Sequence, residues 1–386
     1  MPNRSPLPIL FATLFAAMTG FGIVIPTLPF LATRFHLGPG DLGMLLASYS
    51  AMNVVFSPVW GRLSDRIGRR PVMIVGALGL GLSFVGYALA QAPWMLFAAR
   101  LIGGVLGAAL LPTAKAYAAD LATDETRPRL LGILGAGLGL GMVVGPALGG
   151  VASRWFPEAP FWLAATMTLV TAALVMGALP DAPVSVRANQ GILGTLRRAG
   201  RDLAPLATLS FTQMLAFTAM EATFVLFGHD RFQLDAMDIG LMFLAMGLVS
   251  AGFQGKGVGR TIERLGEMGA ARIGCLALIA GFIGVPLAPS VPTLTMAFCA
   301  FGIGSALLRT SIAASAARRG TQGHGVSMGI VDASDSLARV LGPVLGGTLY
   351  ARTVTLPYHA GAAVLCIALA VTWIVERGPV AAGRMD

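Results

Sequence analysis

Of 386 residues, 55% are hydrophobic and only 12% charged, and the mean hydropathy is +0.76, a balance that excludes a soluble globular chain. The net charge of +9 and pI near 10.3 would suit a nucleic-acid binder, but the basic residues fall in short loops between apolar runs, which argues against nucleic acid as a partner. Cys275, Cys299 and Cys366 lie inside those runs without metal-ligand spacing, so they read as packing residues and no metal is expected.

Apolar runs near the ~20 residues that cross ~30 Å of hydrocarbon recur twelve times, at roughly 8–32, 42–60, 72–91, 94–118, 130–152, 160–179, 205–228, 239–255, 272–289, 293–316, 327–350 and 358–375. The first run is too long for a signal-peptide core and is followed at once by others, so it is expected to serve as the insertion signal. Gly20, Gly22, Pro26 and Pro29 make it locally weak, as Pro112 does the fourth. Asp120, just beyond the fourth, is expected to end that helix in solvent. In the fifth run, Gly137, Gly141 and Gly145 recur at helical spacing and form a small-xxx-small face for close helix approach, before Pro146 removes a backbone hydrogen bond. This glycine-rich stretch has no preceding strand and no Lys-Ser/Thr ending, so a phosphate cradle is a poor reading. Between Pro180 and Pro205 the apolar pattern lapses into an interdomain linker. Its Leu193, Leu196 and Leu203 among Arg197, Arg198 and Arg201 suit either a short amphipathic helix on the anionic leaflet or a flexible tether.

The chain is a duplication. GRLSDRIGRR from Gly61 returns as GRTIERLGEM from Gly259, a shift of 198 residues. At a shift of 197, Arg34-Phe35-His36-Leu37 with Asp41 and Gly43 is answered by Arg231-Phe232-Gln233-Leu234 with Asp238 and Gly240, and Gly145-Pro146 with Gly149-Gly150 by Gly342-Pro343 with Gly346-Gly347. Apolar repeats of this length predict an all-α membrane protein of twelve transmembrane helices, in two pseudo-symmetric six-helix bundles at residues 1–184 and 205–386, joined by a linker at 185–204. On that map Arg62, Arg66, Arg69, Arg70, Arg197, Arg198, Arg201, Arg260 and Arg264 share one side with both termini, while only Arg34, Arg154, Arg231 and Arg352 lie on the other. The asymmetry places both termini in the cytoplasm of a cell whose inner membrane holds the protein.

These residues resemble the major facilitator superfamily and, within it, the twelve-span drug:proton antiporters, tetracycline exporters included, over nearly the whole chain. Gly61-Arg62-Leu63-Ser64-Asp65-Arg66-Ile67-Gly68-Arg69-Arg70 is similar to the superfamily's signature loop at almost every position. Arg100 with Gly103, Gly104 and Gly107 resembles the fourth-span motif associated with proton coupling, and Gly141, Gly145, Pro146, Gly149 and Gly150 resemble the fifth-span antiporter motif, a Gly-Pro pattern that packing alone would also explain. The resemblance implies alternating access to a central cavity, a small-molecule substrate, protons as coupling ion and no cofactor; a monomer in the lipid bilayer is expected. One departure argues against tetracycline as cargo: the aspartates those exporters carry in the first, third and ninth spans have no counterpart in LFAAMTGFGIVIP, ALGLGLSFVGYALA or IGCLALIAGFIG.

Physical chemistry gives the loop a role of its own. Asp65 is placed to meet a helix N-terminus and nearby arginines, Gly68 permits a tight turn, and Arg69 and Arg70 are expected at lipid headgroups. Such a cluster is able to latch the two halves, or to act only as a topological anchor.

Ionised groups inside spans cost roughly 2.5–3.5 kcal/mol each at mid-depth, so Glu221, Asp335, Arg339, Arg309, Arg100 and Lys115 should face a cavity or one another. Asp335 and Arg339 stand i, i+4 on one helix face with Asp332 a turn earlier, compatible with a structural ion pair or a functional one. Glu221, in the seventh span with no base within four residues, is the sharper candidate for a coupling proton or a cationic group on the cargo. Lys115 and Arg309 sit at equivalent depth in the two repeats, either lining the cavity for anionic or zwitterionic cargo or, for Lys115, snorkelling to headgroups. No nucleophile is paired with a base and no ATP-binding loop is present, so transport rather than an enzyme activity is expected. Efflux of an amphipathic compound, metabolite transport and a sensor on a transporter fold all remain open at this point.

Overall fold

The computed structural model describes residues 6–123, 126–181, 192–319 and 324–377, and those residues are helical throughout apart from short connections. Ten of the helices are long and apolar enough to cross a membrane. The first six spans are α1 Leu7–Arg34, α2 Pro39–Ile67, α3 Arg69–Ala88, the pair α4 Pro93–Gly107 and α5 Leu110–Leu121, α6 Arg127–Ala152 and α7 Ala159–Ala178. The remainder are α8 Ile192–Phe232, α9 Ala236–Leu287, α10 Val291–Arg319, α11 His324–Arg352 and α12 Leu356–Arg377.

At 52 residues α9 is about twice the length a bilayer requires, and it bends at Gly266, whose φ of 72° is left-handed. It therefore contains both the eighth and the ninth span. The eleventh span is α11, whose hydropathy is lowered by Asp332, Asp335 and Arg339. Each of the twelve apolar runs is thus met by helix. Residues 182–191 of the linker lie outside the described residues; from Ile192 the chain is helical and continuous with the seventh span.

Two compact units result, residues 1–187 with 228–244 and residues 188–227 with 245–386. In the first, α6 lies along α1 because its glycines remove every obstacle on one face. A Cβ at Gly141 would fall 2.6 Å from Phe15 O, at Gly145 2.6 Å from Thr19 O and at Gly149 3.0 Å from Ile23 O, while Gly22 of α1 faces Pro146. The small-xxx-small stripe thus has its partner. Gly150, one position round the helix, instead meets the backbone of Ala236 and Met237 at the start of α9. The second unit repeats the device: Gly342 and Gly346 of α11 rest on Leu215 O and Ala219 O of α8.

The Arg-Phe-His/Gln-Leu repeats are helix stops. His36 and Gln233 adopt φ of 58° and 55°, turning the chain out of α1 and α8 as αL residues do. Asp41 and Asp238 then accept the amides of Gly38 and Asp235, each at 3.1 Å, opening α2 and α9. Exposed Trp94, Trp155 and Trp162 gather where α4 begins and the α6–α7 turn lies, the girdle position of an interfacial aromatic.

Candidate functional site

Arg69 organises the signature loop. Gly68, with φ 98°, is the only residue between α2 and α3, and it turns Arg69 into the bundle, where the side chain is 6% exposed. Its Nε donates to Asp120 Oδ2 at 2.9 Å and its Nη1 to Ser64 Oγ at 2.7 Å and to Asp65. Asp120 is therefore not a solvated helix end: 9% exposed, it is the counter-ion of a buried guanidinium. Arg70 does not project to headgroups either. It grips the end of α7, donating to Val175 O at 3.3 Å and to Met176 O and pairing with Asp181, which satisfies carbonyls that a helix C-terminus leaves open. Arg66 is exposed, and Gly61 has open space around its Cα.

The second unit carries the same construction with the signs exchanged. Gly266 turns the chain as Gly68 does, and the next residue is Glu267 where the first repeat has Arg69. Glu267, 8% exposed, accepts from Arg318 Nε at 2.6 Å and from Ser315. Arg318 stands 198 residues after Asp120, the offset of the loops themselves. An ion pair joins the loop to the following span in both repeats, Arg-to-Asp and buried on both sides in one, Glu-to-Arg with a buried glutamate and an exposed arginine in the other.

Asp65 is half exposed, and without it Arg69 keeps Asp120 and Ser64. Asp65→Asn is accordingly expected to leave the thermal midpoint within about 2 °C, since the Asp65 carboxylate is half in solvent and Arg69 retains a buried counter-ion, while lowering transport. Equal transport rates at equal expression would refute a gating role.

In the first unit Arg100 is buried, its guanidinium 5.0 Å from the Tyr49 ring centroid, where a cation is attracted to the π face. Its Nε has no hydrogen-bond partner among the described residues. Gly103 and Gly104 admit this approach, since Cβ atoms there would meet Ser83 Oγ at 2.5 Å and Tyr49 O at 2.8 Å. Lys115 is exposed on α5.

The second unit gathers the remaining intramembrane charges. Ser210 Oγ of α8 donates to Asp335 of α11, and three residues further along α8 Gln213 Nε2 donates to Ser305 Oγ of α10 at 3.1 Å. Arg309, one turn after Ser305, is exposed, as is Asp332, while Glu221, Asp335 and Arg339 are half-buried. Arg339 lies within reach of the charges of Arg309, Glu221, Asp335 and Asp332. Glu221 has no base nearby in sequence, but α11 brings one to it. Charge alone does not single out Ser210, Gln213 and Ser305; their signal in the sequence is polarity in runs otherwise apolar.

The model of the Major Facilitator Superfamily matches residues 10–325. The chain is 28% identical over 370 residues to Multidrug resistance protein 1 of Bacillus subtilis (strain 168), covering 95% of both chains. It is 32% identical over 367 residues to the class E tetracycline resistance protein of Escherichia coli, covering 91% of this chain and 89% of the relative. A solved bacterial homolog of the human lysosomal transporter Spinster superposes with a TM-score of 0.80 at 13% identity over 98% of each chain, a likeness of fold. With helical spans throughout and these matches along nearly its full length, the chain is a multi-pass membrane transporter, neither an enzyme nor a sensor, and belongs to the Major Facilitator Superfamily.

Proposed function

We propose that the protein exports a small amphipathic compound in exchange for protons by alternating access, as a monomer in the inner membrane with its basic loops and both termini in the cytoplasm. The reading rests above all on the charged cluster of the second unit: Glu221, Asp335, Arg339 and Arg309 on three helices of a transporter, with Gln213 and Ser305 beside them. Such a set holds acids able to exchange protons and polar groups able to orient a cargo. The multidrug and tetracycline resistance names of the relatives support export. Tetracycline itself is not the proposed cargo, because the first, third and ninth spans lack aspartate.

One charge moving through 100 mV supplies about 2.3 kcal/mol, enough for a roughly fiftyfold concentration ratio, to which a pH gradient adds. The test is efflux by everted vesicles with an imposed pH gradient, screened across dyes, antibiotics and metabolites. Antiport accelerates when the lumen is made acidic, whereas symport of a metabolite would respond in the opposite sense. Glu221→Gln is expected to reduce proton-driven flux at least about tenfold, the effect of about 1.4 kcal/mol, with expression unchanged; full retained flux would remove Glu221 from the mechanism.

A further inference from the structure

We propose that Asp335 takes up and releases the coupling proton, with the Ser210 hydroxyl as its partner in both states, and that Glu221 is not the acid that does so. This rests on the proton-antiport reading and assigns its acid.

The duplication supplies the first argument. At the 197-residue register of the Gly-Pro repeats, Ser210, Glu221, Asp335 and Arg339 answer Thr13, Val24, Leu138 and Met142. The first bundle builds the same helices and the same glycine seam with no charge at these positions. Folding the bundle therefore does not require the charges, and their insertion cost is borne for another purpose.

The partners then separate the two acids. A hydroxyl both donates and accepts, whereas a guanidinium only donates. Ser210 donates to the Asp335 carboxylate; once Asp335 is protonated, its O–H donates to Ser210 Oγ, so neither state leaves a buried polar group unpaired. Ser210 itself is 5% exposed, held for this contact. Glu221 instead acts on the charge of Arg339, a group that only donates, so protonating Glu221 would give up that attraction. The charges that act on Asp335 are Arg309 from α10 and Arg339 and Asp332 from its own helix. Asp335 is only half-buried, which leaves the proton a way in and out.

The test is infrared difference spectroscopy of the purified full chain, acid buffer minus alkaline buffer. Wild type should show the C=O stretch of a protonated carboxylic acid in a low-dielectric setting. Asp335→Asn should lose that band, Glu221→Gln should keep it, and Ser210→Ala should move it to higher frequency by removing a hydrogen bond. If Asp335→Asn does not fold, Asp335→Glu and Ser210→Ala decide, each expected to displace the band without deleting it. A wild type without the band, a band that survives Asp335→Asn, loss of the band in Glu221→Gln, or an unmoved band in both Asp335→Glu and Ser210→Ala overturns the proposal. The spectra need no cargo, so an absence of efflux and an absence of the band are separate results.

Discussion

Gly145→Val is expected to abolish folded protein at the membrane. The new Cβ would stand 2.6 Å from Thr19 O and 2.9 Å from Gly22 Cα. Those are backbone atoms, so no rotamer change relieves the contact; α1 and α6 must separate along the seam that Gly141 and Gly149 continue. Overpacking of this kind costs about 3 kcal/mol at the upper end of its usual range, and membrane helices have little beyond close packing to hold them together. The control is Gly139→Ala in the same helix, where a Cβ meets nothing within 4 Å and the gain in helix propensity is up to about 1 kcal/mol. Size-exclusion profiles and thermal midpoints in detergent should show the valine variant aggregated and the alanine variant unchanged or slightly stabilised. A well-folded Gly145→Val protein would mean that the seam is looser than its geometry.

Arg69→Glu is expected to unfold the signature loop, and Arg69→Glu with Asp120→Arg is expected to rebuild it. The single change sets three acids together at Asp65, residue 69 and Asp120, and strips the buried Asp120 of its counter-ion, a loss of about 3–5 kcal/mol. The double change reproduces the order already present at Glu267 and Arg318, where an acid at the position of Asp65, Glu263, is tolerated as well. The thermal midpoint of the pair should recover most of what Arg69→Glu loses, measured as the coupling term of a double-mutant cycle. Equal destabilisation by the single and double variants would show that the two repeats are not interchangeable at this point.

Hydropathy made the membrane class and the helical spans legible, because a bilayer imposes length and polarity on every segment independently of its neighbours. Partners were harder to read. The glycine stripe of α6 announced a close contact, yet nothing in its own spacing names α1. Asp120 reads as a solvated helix end because its arginine is 51 residues away; the clue lay in the other repeat, where Glu267 and Arg318 occupy the same two positions with opposite sign. Glu221 and Asp335 were visible as costly charges in apolar runs. Their surroundings, the charge of Arg339 for one and the Ser210 hydroxyl for the other, needed helices that sequence distance keeps far apart.

Spans two and three meet at Gly68 alone, and spans eight and nine at Gly266 alone. A joint of one residue stores no slack: a displacement of one arm of the hairpin is delivered whole to the other, as in a pair of calipers. Each loop is thus expected to couple its arms mechanically as well as by charge, and splicing extra glycines beside Gly68 or Gly266 should decouple them while leaving every ion pair chemically possible.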